Sequence, residues 1–403
     1  MPHGRRLAAA ARSAARTDLL DEYLGECKEL VVQHIKTIIP SDGRYGTILY
    51  RLMLDYPLRD AKGLRPMLSI ACCRALRGKL EAVLRSAAVL ELYHNAFLIH
   101  DDVEDQSVMR RGRPTLHRLH GVPVAVNVGD AMLCLSLQPL LENMSEIGLG
   151  PSLRILQAVS RMTRESVEGQ ALELDWVKRD AWDVTDDDYV RMVEQKTAWY
   201  SFITPLVVGG IAARADNTCL DALTEFGRSL GIAFQIQDDV LSLRGEPEAF
   251  GKEIGGDLWE GKRTLILLHM MRCASAAERQ EVEEILALPQ PSRGGRNGAA
   301  RRDVGAVFKR LVNDGELTAK GYRRLKRLNL DSIDGPAKTA AHVRRLFELI
   351  NKYASVQYAA AVAQRWAASA QEVFDTKVAG SMARSVHRDV LQAVVEYVHR
   401  RHR

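Results

Sequence analysis

ELYHNAFLIHDDVED, residues 91–105, is an apolar helical stretch that ends in a cluster of acids. Leu92, Ala96 and Ile99 recur at i, i+4 and i+7, the period of a helix rather than a strand. At 3.6 residues per turn, Asp101 and Asp105 share one face a turn apart, and His94 lies two turns earlier on that face. The motif recurs 137 residues later, where FQIQ (234–237) leads into Asp238 and Asp239. Carboxylates flanked by so apolar a helix need neutralising. Hard oxygen donors clustered without Cys point to Mg²⁺, which keeps several waters and is completed by substrate phosphates. A single acid cluster reads equally well as a solvated surface or a helix cap; two copies with the same apolar lead-in favour the metal.

Outward from these two stretches the helical period continues with few breakers. The thirteen prolines include Pro57, Pro66, Pro114 and Pro123 at apparent loops, and alternating strand patterns are scarce. The fold class is therefore all-α. A length of 403 residues allows two or three domains, but short signals such as GLG before Pro151 and GEP at 245–247 punctuate one continuous pattern. One helical domain is expected over 18–403. Residues 1–17 carry Arg5, Arg6, Arg12 and Arg16 and no acid, the composition of a transit peptide; the simpler reading is a basic, disordered tail.

The stretch LPQPSRGGRNG (288–298) opens a basic insertion at about 289–341. Residues 293–345 hold fourteen Lys and Arg against five Asp and Glu, a local +9 that exceeds the +5 of the whole chain. The rest of the chain is thus slightly acidic, and affinity for anions has to come from placed cations. The insertion reads as a solvated loop and helix, with docking to an anionic membrane as the sharper alternative.

Several function classes drop out. The 46% hydrophobic content argues against disorder, and the small net charge does not demand a nucleic acid. No Walker motif or strand-linked GxGxxG is present, so the diphosphate implied is not a nucleotide. No uncharged apolar run reaches 18 residues and no signal peptide is evident, so a soluble, cytoplasmic protein without a transmembrane segment is expected. The six cysteines form no C-x-x-C pair and read as reduced core residues. Bases flank both acid clusters: Lys62 and Arg65, Arg110 and Arg111, Lys196 beside Thr197, then Lys252 and Lys262. Each alone is an ordinary surface charge; together they suit a metal-plus-cation clamp on a diphosphate.

In order along the chain, KGLRP (62–66), ELYHNAFLIHDDVED (91–105), RRGRPTLH (110–117), GD (129–130), EGQALEL (168–174), QKT (195–197), FQIQDD (234–239), GKEIGGDLWEGKRTL (251–265) and LQAVVEYVHRR (391–401) resemble the trans-isoprenyl diphosphate synthases, or polyprenyl synthetases. The resemblance covers nearly all of the chain outside the tail and the insertion. It implies an isoprenoid synthase helical bundle around a central cavity, working as a homodimer. It implies that Asp101 and Asp105 ligate two Mg²⁺ with Asp102 in support, and that Asp238 ligates a third with Asp239 alongside. Arg110, Lys196 and Lys252 would hold an allylic diphosphate with Lys262 nearby. Lys62, Arg65, His94 and Arg111 would hold isopentenyl diphosphate, and Thr197 and Gln235 would face the reacting carbons. Two positions depart from the family pattern: Gly63, commonly basic, and Ser242, commonly a third aspartate.

Product length is expected to depend on Phe97 and Ala96, four and five residues before Asp101, a ring at the cavity floor beside a small residue. The HNAFLIHDDVEDQS stretch looks closest to synthases of the twenty-carbon geranylgeranyl diphosphate, with farnesyl diphosphate as the alternative. A class I terpene cyclase would not need Lys62, Arg65 and His94, and its Asn-Ser-Glu triad is not evident near residue 238. A silent partner subunit would have lost one acid cluster, whereas both leading pairs are intact.

Overall fold

The computed structural model describes residues 2–40, 47–59, 61–244, 255–289, 318 and 337–400. Helix α1 (Pro2–Ile38) is followed by α2 (Leu64–Ala75), α3 (Leu80–Glu104), α4 (Val122–Leu135) and α5 (Leu149–Lys178). Helix α6 (Asp186–Val193) passes without a break into a π-helical segment, Glu194–Ile203, and then into α7 (Thr204–Ala212). Next come α8 (Asn217–Arg244), α9 (Leu265–Cys273), α10 (Ala276–Ala287), α11 (Ala340–Lys352), α12 (Ser355–Val373) and α13 (Val386–Arg400). Among the described residues the β structure is one two-residue antiparallel ladder, Met109–Arg110 against Arg113–Pro114. The all-α expectation holds.

Helix α3 is the axis of the body. Every residue from Ser86 to Ala96 is buried, and a helix apolar and buried on all sides can only stand at the centre of a core. Helices α1, α2, α4 and α7 pack around it. A second core gathers Tyr189 of α6, Ile232, Ile236 and Val240 of α8, Leu346 of α11 and Ala359 of α12. A cavity of about 490 Å³ lies where the two cores meet, walled by the ends of α3 and α8, by α5 and by the π segment.

The structure adds three features. Helix α1 begins at Pro2 and so includes residues 2–17; the run LAAAARSAA is rich in alanine, the strongest helix former. All six cysteines are free, but Cys134 and Cys273 are exposed, leaving four in the core role. The stretch Val122–Ile147, which Asp130 interrupts, is long and apolar enough to cross a membrane by length and composition only. It is broken at Ser136 and Asn143 into three helices, and with α5 it exposes Val122, Leu137, Leu141, Leu149 and Leu153. Most of the expected insertion at about 289–341, and Lys252, lie outside the described residues.

Candidate active site

The C-terminal end of α3 presents the first acid cluster and the C-terminal half of α8 the second. The π segment brings Lys196 and Thr197 between them, since the wider turn re-aims side chains that an α-helix would stack differently. Its neighbours must be small. A Cβ on Gly169 of α5 would stand 2.3 Å from the Lys196 backbone nitrogen, and one on Gly231 of α8 would stand 2.6 Å from the Ala198 Cβ. The glycine of EGQALEL therefore lets α5 close on the Lys196 backbone.

The two aspartate pairs are built alike. In each, the first residue lines the cavity, Asp101 and Asp238, and in the second pair Asp239 lines it as well. The second is buried and held by a tyrosine phenol. Tyr56 donates to Asp102 at 2.5 Å and Tyr189 donates to Asp239 at 2.6 Å. Asp102 is fully buried, and Arg110 grips its other oxygen through Nε at 2.9 Å and Nη2 at 2.5 Å, reaching Asp101 at 3.3 Å. Burial pulls the Arg110 pKa down, but Asp102 and Asp101 outweigh it and the pKa is raised. Asp102, expected in support of the ligands Asp101 and Asp105, is held by Tyr56 and anchors Arg110. On the other side, Gln235 donates from Nε2 to Asp239 at 2.8 Å, and its Oε1 accepts the Thr197 hydroxyl at 2.9 Å. Gln235 and Thr197 both line the cavity.

Two partly buried lysines line the cavity beside the first cluster. Lys196 pairs with Glu173 and approaches Asp101 at 3.9 Å; Lys262 pairs with Asp105 and with Glu260, each at 2.7 Å. Burial alone would strip both amines of charge, but Glu173 acts most strongly on Lys196 and Asp105 on Lys262, so both pKa values are raised. Burial and Asp101 push the Asp105 carboxyl up despite its lysine, and burial and Asp257 push Asp239 up. Ser242, at the departure from the family pattern, donates to Asp257 at 2.7 Å, so another carboxylate stands beside the second pair.

A second group of cations gathers behind Tyr200. The Arg65 guanidinium lies 4.5 Å over the Tyr200 ring, His94 stacks on it at 5.9 Å, and Arg111 reaches His94 at 3.4 Å. Burial, then Arg65 and Arg111, hold His94 well below its ordinary pKa, so the ring is neutral. Two buried atoms here, His94 Nδ1 and Arg65 Nε, have no hydrogen-bond partner among the described residues. Lys62 is set apart, donating to the Tyr397 hydroxyl at 3.0 Å. Tyr200 itself lines the cavity and meets Phe97 edge-on at 5.6 Å, so one ring separates the two cation groups.

Phe97 lines the cavity, whereas Ala96 is buried in the α3 core and does not. The expectation for Ala96 fails because, one residue along a helix, its side chain is rotated away from the cavity. Tyr93, at 6.0 Å from Phe97, backs the ring instead. Sequence reasoning passed over Tyr56, Glu173, Tyr189, Tyr200 and Asp257. Glu173 and Asp257 stand inside the quoted motifs, and that was the only available signal for them. Among the described residues no three carboxylates or imidazoles converge to close a metal shell.

Asp101, Asp238 and Asp239 line one cavity with two charged lysines, an arrangement that suits an enzyme handling diphosphates. Residues 47–299 match the polyprenyl synthetase family, and the chain belongs to it; it is a prenyltransferase. It is similar to the geranylgeranyl diphosphate synthase of Saccharolobus solfataricus, 30% identical over 324 residues that make up 80% of this chain and 95% of the relative. The octaprenyl diphosphate synthase of Escherichia coli is 36% identical over 221 residues, 55% of this chain and 65% of the relative. The crystal structure of a geranylgeranyl pyrophosphate synthase from Corynebacterium glutamicum, holding isoprenyl diphosphate and magnesium, superimposes with a TM-score of 0.73. It is 23% identical and covers 95% of this chain and 99% of that one.

Proposed function

We propose that this chain condenses an allylic diphosphate with isopentenyl diphosphate to an all-trans prenyl diphosphate, geranylgeranyl diphosphate. The observation that carries the reading is a cavity lined by Asp101, Asp238 and two charged lysines, with a separate cation group behind Tyr200. The first arrangement suits the allylic diphosphate; the second, with two unpartnered buried donors, suits isopentenyl diphosphate.

Asp101, Asp105 and Asp238 would hold Mg²⁺, three ions by the family pattern, and the donor set fits: hard oxygens with room for phosphate. When bound, the metal would neutralise the diphosphate charge as the carbon–oxygen bond breaks. Lys196 and Lys262, kept charged by Glu173 and Asp105, would share that charge. Donation to Asp239 fixes the Gln235 amide so that its oxygen, not its NH₂, meets Thr197 and the cavity. That oxygen would face the allylic cation. The terminal alkene carbon of isopentenyl diphosphate would bond to C1 of the allylic cation, and loss of a proton from C2 to the released diphosphate would form the new C2–C3 double bond, so no protein base is required. Arg65, Arg111 and neutral His94 would hold the second substrate in line.

Phe97, backed by Tyr93 and Tyr200, supports a floor that halts growth near twenty carbons. The exposed apolar residues around Val122, Leu141 and Leu149 support a homodimer through α4 and α5. The deciding experiment incubates the protein with Mg²⁺, isopentenyl diphosphate and each allylic primer in turn, then reads product mass. A twenty-carbon product is expected. A fifteen-carbon or much longer product would overturn the length assignment, and no condensation would overturn the activity.

A further inference from the structure

Lys338 stands in the basic run that the sequence reads as solvated, yet it is 2% exposed and no step above uses it. It marks the return of the chain after residues 290–336: its backbone N–H donates to the Pro289 carbonyl at 2.8 Å. Its side chain runs inward to the short helix Gly256–Glu260. That helix ends at Gly261, whose φ of +73° suits glycine, and the Lys262 N–H turns back to the Asp257 carbonyl at 3.0 Å. A helix closed in this way leaves carbonyls of its last turn without partners. In that last turn the Lys338 ammonium donates to the Leu258 and Trp259 carbonyls, at 3.0 Å and 2.7 Å.

The piece thus capped is small and carries much of one cavity wall. Asp257 accepts from Ser242 beside the second aspartate pair, Glu260 pairs with Lys262, and Lys262 reaches across to Asp105. Arg263, also buried, braces the far side by donating to the Gly261 carbonyl at 2.5 Å and the Ala181 carbonyl at 2.9 Å. Five residues make too short a helix to hold its own geometry. Its position has to be imposed from outside.

We propose that Lys338 is a positioning residue for the diphosphate site, fixing through the Leu258 and Trp259 carbonyls the turn that presents Asp257, Glu260 and Lys262. The proposal rests on the reading of Lys262 as a ligand of the allylic diphosphate. Lys338 itself touches no substrate. The isopentenyl diphosphate group, Arg65, His94 and Arg111, lies on other elements and should not respond.

The test compares steady-state constants of Lys338→Met, Lys338→Gln and Lys262→Met in the full chain. Lys338→Met keeps the apolar stem and removes the donors. It should raise the KM for the allylic diphosphate about tenfold, the weight of one charge-assisted hydrogen bond, while the KM for isopentenyl diphosphate stays within about twofold. Lys338→Gln, with two N–H donors, should recover part of the loss. Amide exchange at Leu258–Lys262 should quicken in Lys338→Met. If Lys262→Met raises the allylic KM and Lys338→Met does not, the positioning role is wrong. If Lys262→Met leaves the allylic KM unchanged, the reading of the diphosphate site fails first. Should Lys338→Met not fold, Lys338→Gln carries the test, and equal rises in both KM values would mark Lys338 as merely structural.

Discussion

The aspartates of the first pair, adjacent in sequence, should fail in opposite ways when replaced by alanine. Asp102 is fully buried and binds two groups that have little else: the Arg110 guanidinium, 11% exposed, and the Tyr56 phenol, which is also buried. Removing it leaves a buried cation with only Asp101 at 3.3 Å and a phenol with no acceptor. Breaking a buried ion pair from one side costs about 3–5 kcal/mol, so Asp102→Ala should lose roughly that much stability. Asp101 is 23% exposed, its cation contacts are long, and it repels Asp105; Asp101→Ala should therefore move stability by less than about 1 kcal/mol. Turnover should reverse the order, with Asp101→Ala falling by roughly two orders of magnitude or more as charge stabilisation at the diphosphate is lost. Denaturant unfolding followed by circular dichroism measures the first quantity, and initial rates with saturating Mg²⁺ the second. If Asp102→Ala unfolds like the parent and loses turnover like Asp101→Ala, Asp102 acts on the metal and its assignment as an anchor is wrong.

Phe97→Ala should lengthen the product, read by mass of the dephosphorylated prenyl alcohols; an unchanged profile would place the floor at another residue. Gly169→Ala should force the Lys196 backbone away from α5, costing about 1–3 kcal/mol of stability and most of the turnover, since the added Cβ meets backbone rather than a movable side chain. Activity near that of the parent would refute the close approach. In pH titrations of stability, Lys338 has a distinct sign. Burial and Arg263 lower its amine to about 8, below its unfolded value. Between about 8 and the ordinary lysine range the unfolded chain therefore binds the extra proton, and this group makes stability rise with pH. Lys338→Met should flatten that rise, and an identical pH profile would exclude it. Glu173 works in the acid range: burial pushes its carboxyl up, but Lys196 and Lys262 hold it lower. Its contribution is present above the ordinary carboxylate range and is lost as pH falls through its folded value.

Much of this site is legible in local sequence because it is written at helical spacing. The i, i+4, i+7 pattern before Asp101 places α3 at the centre, and Leu92, Ala96 and Ile99 are all buried. The spacing also brings Asp101 and Asp105 to one face, but it cannot tell which of Asp101 and Asp102 meets the cavity. That depends on Tyr56, 46 residues away, and on the turn that folds Arg110 back. The assignment of Ala96 to the floor fails for a related reason: counting back from Asp101 gives height along the helix, and the side chain's rotation decides what it lines. Glu173 looks like one acid of a polar helix face until the π segment delivers Lys196 to it. Lys338 is least legible, because one buried lysine among fourteen basic residues carries no local mark.

The hydrogen bond from the Lys338 amide to the Pro289 carbonyl closes the body of the protein behind residues 290–336. The chain leaves and re-enters at one point, so the helices on either side register no change in span whatever length of sequence is placed between them, and loop length itself weighs little. This is a splice point: residues 291–336 could be exchanged for a short linker or a foreign module with α10 and α11 left where they are. The boundary has one condition, that the returning residue remain a lysine. A cut carried two residues further would take away the cap of the catalytic turn along with the insertion.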